Sequence, residues 1–333
     1  MIEKKRLLLI MPNFFGYPKE IIKEAEKMGY IVDFYDDRPS TNAFVKAIIR
    51  INKNAISTYI KKYYEMIKRE TSDIKYDIVF VISGQSLCFE EYMIAELREL
   101  QSQAKFVLYQ WDSVKNFPYI ERMQKYFDKC YSFEKGDSEG RENVEFLPLF
   151  YIDKYKKIGE KKNVSIDYEY CFIGTAHPKK YKFISEMVEK LKSQEKEMFI
   201  YFFFPSPIVY IYRKICNKEL RRAHYRDFNY TSLSADEIDD IWTRSTCILD
   251  SPQAGQFGLT IRTLEALGAK RKLITANADV VNYDFYREEN IYVYDGSDFN
   301  YDSPFFTKEY EEVPCDVYEK YSLSSWLETL FKS

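Results

Sequence analysis

The sequence predicts an α/β protein made of two doubly wound domains, and three observations lead to this prediction. The chain has 333 residues, more than a single hydrophobic core usually organises. Short apolar runs alternate with segments of helical periodicity in both halves, and neighbouring parallel strands need connections of helix length. A polar, lysine-rich stretch without periodicity, residues 153–167, separates the halves. We therefore expect two Rossmann-like domains that face each other across a cleft.

In the first half, apolar runs predict strands and amphipathic segments predict helices, with Gly29 closing the first helix. The predicted strands are residues 7–11, 31–35, 78–82 and 105–110. The predicted helices are residues 18–27, residues 90–100, and one long or two shorter helices within residues 42–70.

The same alternation restarts after the polar stretch. The predicted strands there are residues 170–173, 198–204, 247–250, 272–275 and 291–294, and the predicted helices are residues 181–191, 259–267 and 322–332. We therefore divide the chain into an N-terminal domain, a linker, a C-terminal domain and a final helix that packs back on the N-terminal domain, at residues 1–152, 153–167, 168–321 and 322–333.

Composition excludes several classes of protein. The chain has 49 Lys and Arg against 52 Asp and Glu, and this formal charge of −3 argues against a general nucleic-acid binder. Six scattered cysteines and two histidines form no zinc-binding pattern, so we predict no metal site and no cofactor. The first apolar run is too short for the core of a signal peptide, which predicts a cytoplasmic protein.

The most informative stretch, residues 245–277, predicts a strand, a glycine-bearing loop, a helix and a strand. Gly255 and Gly258 allow backbone N–H groups to approach a ligand, and the positive end of the helix favours a phosphate there. Arg262 can form two hydrogen bonds to phosphate oxygens, and Glu265 on the same helical face can accept hydrogen bonds from ribose hydroxyls. The alternative is an ordinary Arg–Glu surface pair without function.

These residues carry a resemblance. The pattern G-L-T-x-R-x-x-E-A-L from Gly258, followed by K-L-I-T-x-N, resembles the donor-site helix of GT-B-fold glycosyltransferases, in particular bacterial capsule and lipopolysaccharide biosynthesis proteins. In such enzymes the C-terminal domain holds a nucleotide-sugar and the N-terminal domain holds the acceptor. The resemblance implies that Gly258, Arg262 and Glu265 face the donor phosphates and ribose, and that Thr275 and Asn277 line the pocket.

One position departs from the retaining members of that family, which commonly carry two glutamates with seven residues between them. Counting back from Glu265 reaches Phe257, which is not an acid. The resemblance therefore carries over neither the identity of the donor nor the stereochemical outcome.

A second glycine-bearing segment is predicted to be a turn that ends the first strand of the C-terminal domain. Backbone amides at Gly174, the Thr175 hydroxyl and the His177 ring are candidates to reach the diphosphate from the other side, and Lys179 or Lys180 is a candidate to neutralise it. The alternative is a glycine needed only for the turn, with an exposed histidine.

The N-terminal domain offers candidates for the acceptor side. Asp112 follows the strand at residues 105–110, where a carboxylate faces the cleft and can act as the general base for an acceptor hydroxyl. The alternative role for Asp112 is a helix N-cap. The other acceptor-side candidates, which also follow predicted strands, are Asn13, Phe14, Gly16, Gly84, Gln85 and Trp111.

Two segments combine aromatic and basic residues, at residues 44–71 and 201–226. Such a mixture suits an anionic membrane surface, where a lipid-linked acceptor is found. The alternative is a core strand followed by a solvated helix. If these segments bind a membrane, the cytoplasmic protein is expected to associate peripherally with the inner face of the cell membrane.

With the resemblance, the sequence predicts a metal-independent glycosyltransferase that moves a sugar from a nucleotide-sugar donor to a bacterial surface glycan or a lipid-linked glycan. Two alternatives use the same architecture: a polyol-phosphate transferase, and a non-enzymatic two-domain protein that binds a sugar or nucleotide. The sugar, the acceptor and the oligomeric state are not specified by the sequence.

Overall fold

Each half of the chain forms one parallel β-sheet. The computed structural model describes residues 4–14, 16–40, 45, 53–84, 87–251 and 258–332. The chain divides into unit 1, which comprises Met1–Pro148 and Leu323–Ser333, and unit 2, which comprises Leu149–Ser322. This confirms the α/β class with two doubly wound sheets.

The strands are short, as expected for buried parallel strands. In chain order they are β1 (Lys5–Met11), β2 (Tyr30–Asp36), β3 (Ile78–Ser83), β4 (Lys105–Gln110), β5 (Lys129–Ser132), β6 (Val144–Phe146), β7 (Tyr168–Thr175), β8 (Met198–Phe203), β9 (Ser245–Leu249), β10 (Lys272–Thr275) and β11 (Ile291–Val293).

The helices of the described residues lie between these strands and at the C-terminus. They are α1 (Tyr17–Lys27), α2 (Ser57–Thr71), α3 (Glu91–Leu100), α4 (Glu121–Gln124), α5 (Lys135–Ser138), α6 (Asp153–Glu160), α7 (Pro178–Leu191), α8 (Pro207–Cys216), α9 (Ala235–Thr243), α10 (Ile261–Gly268), α11 (Pro304–Thr307), α12 (Cys315–Lys320) and α13 (Leu323–Lys332). None of them is both long enough and apolar enough to cross a membrane.

The sheet of unit 1 has the strand order β2-β1-β3-β4-β5-β6, and that of unit 2 has the order β11-β10-β9-β7-β8. All strand pairs are parallel; for example, Leu9 of β1 pairs with Phe34 of β2 and with Phe80 of β3. Because the strands are parallel, their carboxyl ends all meet at one edge of each sheet, which is where ligands bind in sheets of this kind.

The sheet of unit 1 is buried on both faces, which explains its continuous apolar strands. Leu8, Ile10 and Val79 belong to a core cluster on one face. On the other face the C-terminal helix α13 packs against the sheet: the Trp326 ring lies 5.8 Å from Phe80. The last helix of the chain therefore completes the core of unit 1.

Two parts of the structure differ from the sequence-based expectation, and strands β5 and β6 were not predicted from sequence. The first half of the expected linker is helix α6, because Tyr155 and Ile158 are buried in unit 2. Gly174 lies inside β7, paired with Phe202, and not in a turn. Within the segment expected to hold one long or two shorter helices, helix α2 covers Ser57–Thr71, and residues 42–44 and 46–52 lie outside the described residues.

Candidate functional site

The carboxyl edge of the unit 2 sheet brings together segments that are far apart in sequence. Strand β9 lies between β10 and β7. Asp250 directly follows β9, His177 lies two residues beyond β7, and Asn277 lies two residues beyond β10. The three strand ends therefore form one continuous edge, at the position where the sequence predicts a phosphate-binding loop.

Helix α10 is fixed to this edge through its N-cap. Thr260 is the capping residue, and its hydroxyl oxygen accepts a hydrogen bond from the N–H of Thr263 at 3.4 Å. The same hydroxyl donates to Oδ2 of Asp250 at 2.6 Å, and Asp250 is only 4% exposed. The end of β9 and the start of α10 are thus held together, so the positive end of the helix lies at the edge of the sheet.

The glycine loop is held from the β10 side. Nδ2 of Asn277 donates to the carbonyl oxygen of Gly258 at 3.1 Å, and the backbone N–H of Asn277 donates to the Thr275 hydroxyl at 3.2 Å. Both side chains are buried. Thr275 and Asn277 therefore shape the loop that carries Gly258, whereas Gly255 lies outside the described residues.

Arg262 and Glu265 form a close pair that is not a solvated surface pair. Nη1 of Arg262 lies 3.4 Å from Oε2 of Glu265, and Glu265 is buried. Nη2 of Arg262 donates to the carbonyl oxygen of Ile173 at 3.3 Å, next to Gly174, and the guanidinium lies 5.1 Å from the centre of the Trp242 ring. Arg262 therefore connects helix α10 to the C-terminal part of strand β7.

Tyr155 of helix α6 supports this pair. Its pKa is raised well above the ordinary value, first by burial and then by the negative charge of Glu265 and a hydrogen bond to it. The Tyr155 ring also lies 5.0 Å from that of Trp242. The Arg262 guanidinium is thus oriented by groups from α6, α9 and β7 as well as by its own helix.

More positive charge reaches the same edge from helix α7. His177 is the N-cap residue of this 14-residue helix. Burial lowers the pKa of Lys180 below its ordinary value of 10.5, with Arg262 lowering it further and Asp250 opposing the shift. The pKa of His177 is likewise lowered by burial, then by Arg213, Lys180 and Lys179.

Burial is the larger cause of both shifts, and the smaller cationic contributions show that positive charges lie close together at this edge, because neighbouring cations disfavour each other's protonated forms. Together with the N-termini of α7 and α10, Lys180 and Arg262 provide the electrostatic environment that a diphosphate requires. Thr175 and His177 are exposed at this edge, whereas Gly174 is half-buried within β7. A Cβ atom on Gly174 would come within 2.9 Å of the Phe172 ring, so this glycine allows close packing inside the strand.

Unit 1 brings its predicted residues together in two groups. The Phe14 ring packs edge-on against Trp111 at 5.4 Å, beside Tyr17 at the start of α1. Asn13 is exposed, and Gly16 immediately precedes α1. Phe14 and Trp111, both half-buried, form an aromatic rim after β1 and β4 on which a sugar ring can stack, and the buried Tyr17 packs behind them.

The second group is Gly84 and Asp112, which follow the adjacent strands β3 and β4. A Cβ atom on Gly84 would lie 2.9 Å from Oδ2 of Asp112, so any larger residue would force this carboxylate to shift. Asp112 does not cap the following helical turn; its neighbour Ser113 does, accepting a hydrogen bond from the N–H of Lys115 at 3.2 Å. Gln85 lies outside the described residues.

Several supporting residues escaped the sequence reasoning. Thr260 carries a local signal, since a threonine directly before a helical run is a common N-cap. Tyr155 and Trp242 carry none, because they belong to helices distant in sequence from Arg262. Within the described residues, no group of three or more His, Cys, Asp or Glu side chains is arranged to hold a metal ion.

No protein-family model matches the chain, and no curated protein matches it. Solved structures are similar to it over nearly its whole length. Anabaena HepE, crystallised with UDP and glucose, has a TM-score of 0.62 at 9% identity, covering 99% of this chain and 100% of that one. The catalytic domain of Arabidopsis thaliana starch synthase IV, bound to ADP and acarbose, has a TM-score of 0.59 at 8% identity, with 99% of both chains covered.

A third similar structure is the lipopolysaccharide outer core galactosyltransferase WaaB in its apo form. Its TM-score is 0.54 at 11% identity, and the match covers 98% of this chain and 99% of that one. At such low identity the likeness establishes the fold. This chain has the two-sheet α/β fold of the GT-B glycosyltransferases.

Proposed function

We propose that this protein is a glycosyltransferase that takes a sugar from a nucleotide-sugar donor. The observation that carries the proposal is the set of positive groups at the carboxyl edge of the unit 2 sheet: Lys180, Arg262 and the N-termini of α7 and α10. The fold adds support, because proteins with this fold have been crystallised with UDP or ADP.

In the proposed reaction, an acceptor hydroxyl forms a bond to the anomeric carbon of the donor sugar, and the bond from that carbon to the diphosphate oxygen breaks. Lys180, Arg262 and the two helix ends stabilise the negative charge on the departing nucleoside diphosphate. Asp112 accepts the hydroxyl proton as general base. Since fixed cations supply this stabilisation, we propose that transfer does not require a metal ion, and EDTA-treated protein should retain activity.

For the acceptor we propose a growing bacterial surface glycan, such as a capsule, O-antigen or lipopolysaccharide chain, free or lipid-linked. The motif from Gly258 to Glu265 resembles that of capsule and lipopolysaccharide proteins, and WaaB shares the fold. The aromatic rim formed by Phe14 and Trp111 supports a sugar ligand, because aromatic faces pack well against the apolar faces of sugar rings.

The test measures binding of UDP, GDP, ADP, dTDP and CMP by calorimetry, followed by sugar transfer from the matching nucleotide-sugar. Arg262→Met keeps the aliphatic stem and removes the guanidinium. We expect it to weaken binding of the preferred nucleotide by about 10- to 100-fold, the typical effect of losing a hydrogen bond to a charged group. The matched control is Arg244→Met, since Arg244 precedes β9 at the opposite edge of the sheet and pairs with Asp167 at 2.9 Å.

Equal nucleotide affinity in the two variants would refute the donor site. Nucleotide binding without any sugar transfer or hydrolysis would instead indicate a sensor protein. Release of a nucleoside monophosphate from a nucleoside-diphosphate polyol would indicate the polyol-phosphate transferase, because that reaction moves a phosphate with the polyol.

A further inference from the structure

Helix α8 of unit 2 carries an apolar face that is open to solvent. Ile208, Ile211, Tyr212 and Ile215 are 78%, 55%, 67% and 77% exposed. They recur at positions i, i+3, i+4 and i+7 and therefore share one side of the helix. We call these four residues the apolar stripe. Ordinary surface helices turn their apolar side inward, whereas here only Tyr210 of α8 is buried.

The segment that follows α8 is strongly basic. Its exposed cations are Lys218, Arg221, Arg222 and Arg226, which we call the basic segment. None of the four takes part in an ion pair among the described residues. Glu219 lies within the same segment, and the four cations still leave an excess of positive charge there in a chain with a formal charge of −3.

The basic segment is held beside the helix. Both the Tyr210 hydroxyl and the Lys214 ammonium group donate to the carbonyl oxygen of Ala223, at 3.1 and 2.6 Å. The Tyr225 ring lies 6.0 Å from the Tyr210 ring and is itself half exposed. These contacts are made by residues of α8 outside the apolar stripe, so the basic segment lies along another side of the same helix, next to the stripe.

We propose that this surface docks on an anionic lipid bilayer. The apolar stripe inserts at the boundary between headgroups and acyl chains, and the basic segment binds the negatively charged headgroups. An anionic bilayer is the partner whose charge complements the four cations of the basic segment. A second copy of the chain would add the same positive charge to the contact, and a purely apolar partner would leave the cations without a counter-charge.

The position of the surface gives the docking a functional meaning, which rests on the proposed function. We call the carboxyl edge of the unit 2 sheet, where we propose that the donor binds, the donor edge. Helix α8 begins soon after the carboxyl end of β8, the neighbour of β7. The charge of Arg213 in α8 also lowers the pKa of His177 at this edge. Docking would bring the donor edge of unit 2 close to the membrane, where a lipid-linked acceptor is presented.

The first experiment measures co-sedimentation of the full chain with vesicles, without nucleotide. Phosphatidylcholine vesicles are compared with vesicles that contain phosphatidylglycerol as well. We expect binding to the anionic vesicles only, and at least a ten-fold weaker partition for Ile211→Ser/Ile215→Ser. The control is Ile166→Ser, because Ile166 is an exposed isoleucine of unit 2 outside the stripe.

The second experiment removes charge. Each basic residue near an anionic membrane contributes roughly five-fold in partition, so Arg221→Gln/Arg222→Gln should weaken vesicle binding about 25-fold. The control is Lys161→Gln/Lys162→Gln, which removes two adjacent exposed cations of unit 2 outside both basic-aromatic segments. Inorganic phosphate at millimolar concentration should leave vesicle binding intact, which distinguishes a bilayer from a free phosphate ligand.

Absence of binding to anionic vesicles overturns the proposal, as does equal binding by the stripe variant and its control. Displacement by inorganic phosphate overturns it in favour of a free anion. A dimer in light scattering that the stripe variant abolishes overturns it in favour of a second copy. Nucleotide affinity is measured on the same variants and should not change, so a failed donor site and a failed membrane surface give different results.

Discussion

The N-cap of helix α10 provides the most direct test of how the donor edge is built. The hydroxyl of Thr260 caps the helix and also donates to the buried carboxylate of Asp250 at 2.6 Å. Thr260→Val preserves the shape of the side chain but removes the hydroxyl. The variant therefore loses the helix cap and leaves Oδ2 of Asp250 without this donor.

Two contributions set the expected size of the effect. Loss of an N-cap costs about 1 kcal/mol. Loss of a hydrogen bond to a charged group costs about 1.5–3 kcal/mol, and Asp250, at 4% exposure, has little access to replacement water. We therefore expect the free energy of unfolding of unit 2 to fall by about 2–4 kcal/mol. For a domain of this size that corresponds to a decrease in Tm of about 4–16 °C.

The assay is differential scanning calorimetry together with urea unfolding at equilibrium. The matched control is Ser234→Ala, which removes the N-cap of α9, where Ser234 accepts from the N–H of Glu237 at 3.2 Å at the protein surface. That variant should lose only about 1 kcal/mol. If Thr260→Val costs no more than Ser234→Ala, the bond to Asp250 does not stabilise the donor edge and this reasoning is refuted.

Two further predictions concern the sites in each unit. Gly84→Ala should slow sugar transfer, because its Cβ would lie 2.9 Å from Oδ2 of Asp112 and displace the proposed general base. Gly136→Ala, with open space around it, is the control and should transfer sugar at the unaltered rate; equal rates in the two variants would contradict this. Nucleotide affinity should fall as the pH rises through the pKa of Lys180, which burial and Arg262 hold below 10.5. The reason is that the anion binds the protonated amine and therefore raises its pKa. Calorimetry from pH 7 to 10 checks this, and Lys180→Gln should make the affinity independent of pH in this range.

The buried strands were readily predicted from sequence. A strand such as β3 is apolar at nearly every position because both of its faces are covered, and such a run stands out against the helices around it. The spacing of Arg262 and Glu265 likewise fixes them on one face of a helix whatever surrounds it. Local patterns therefore predicted the strands of both sheets except β5 and β6, and the shared helical face of Arg262 and Glu265.

Other features depend on distant residues. Helix α6 is rich in lysine, and only its Tyr155 and Ile158 side chains are buried. These two side chains are buried because they pack against other helices of unit 2. Gly174 lies in a strand because Phe202 of β8 pairs with it, which the segment around Gly174 does not reveal. The turn and the linker expected at these places are what the local composition favours in the absence of those partners.

The amino-acid sequence alone determined most of the strands and which side chains share a helical face, because these depend on neighbours along the chain. Only the tertiary structure decided the environment of each side chain. It buried Glu265 beside Tyr155, placed Arg262 over Trp242, and left the apolar stripe of α8 exposed. The physical reason is that burial, charge and hydrogen bonding depend on what lies nearby in space, and those neighbours come from remote parts of the chain.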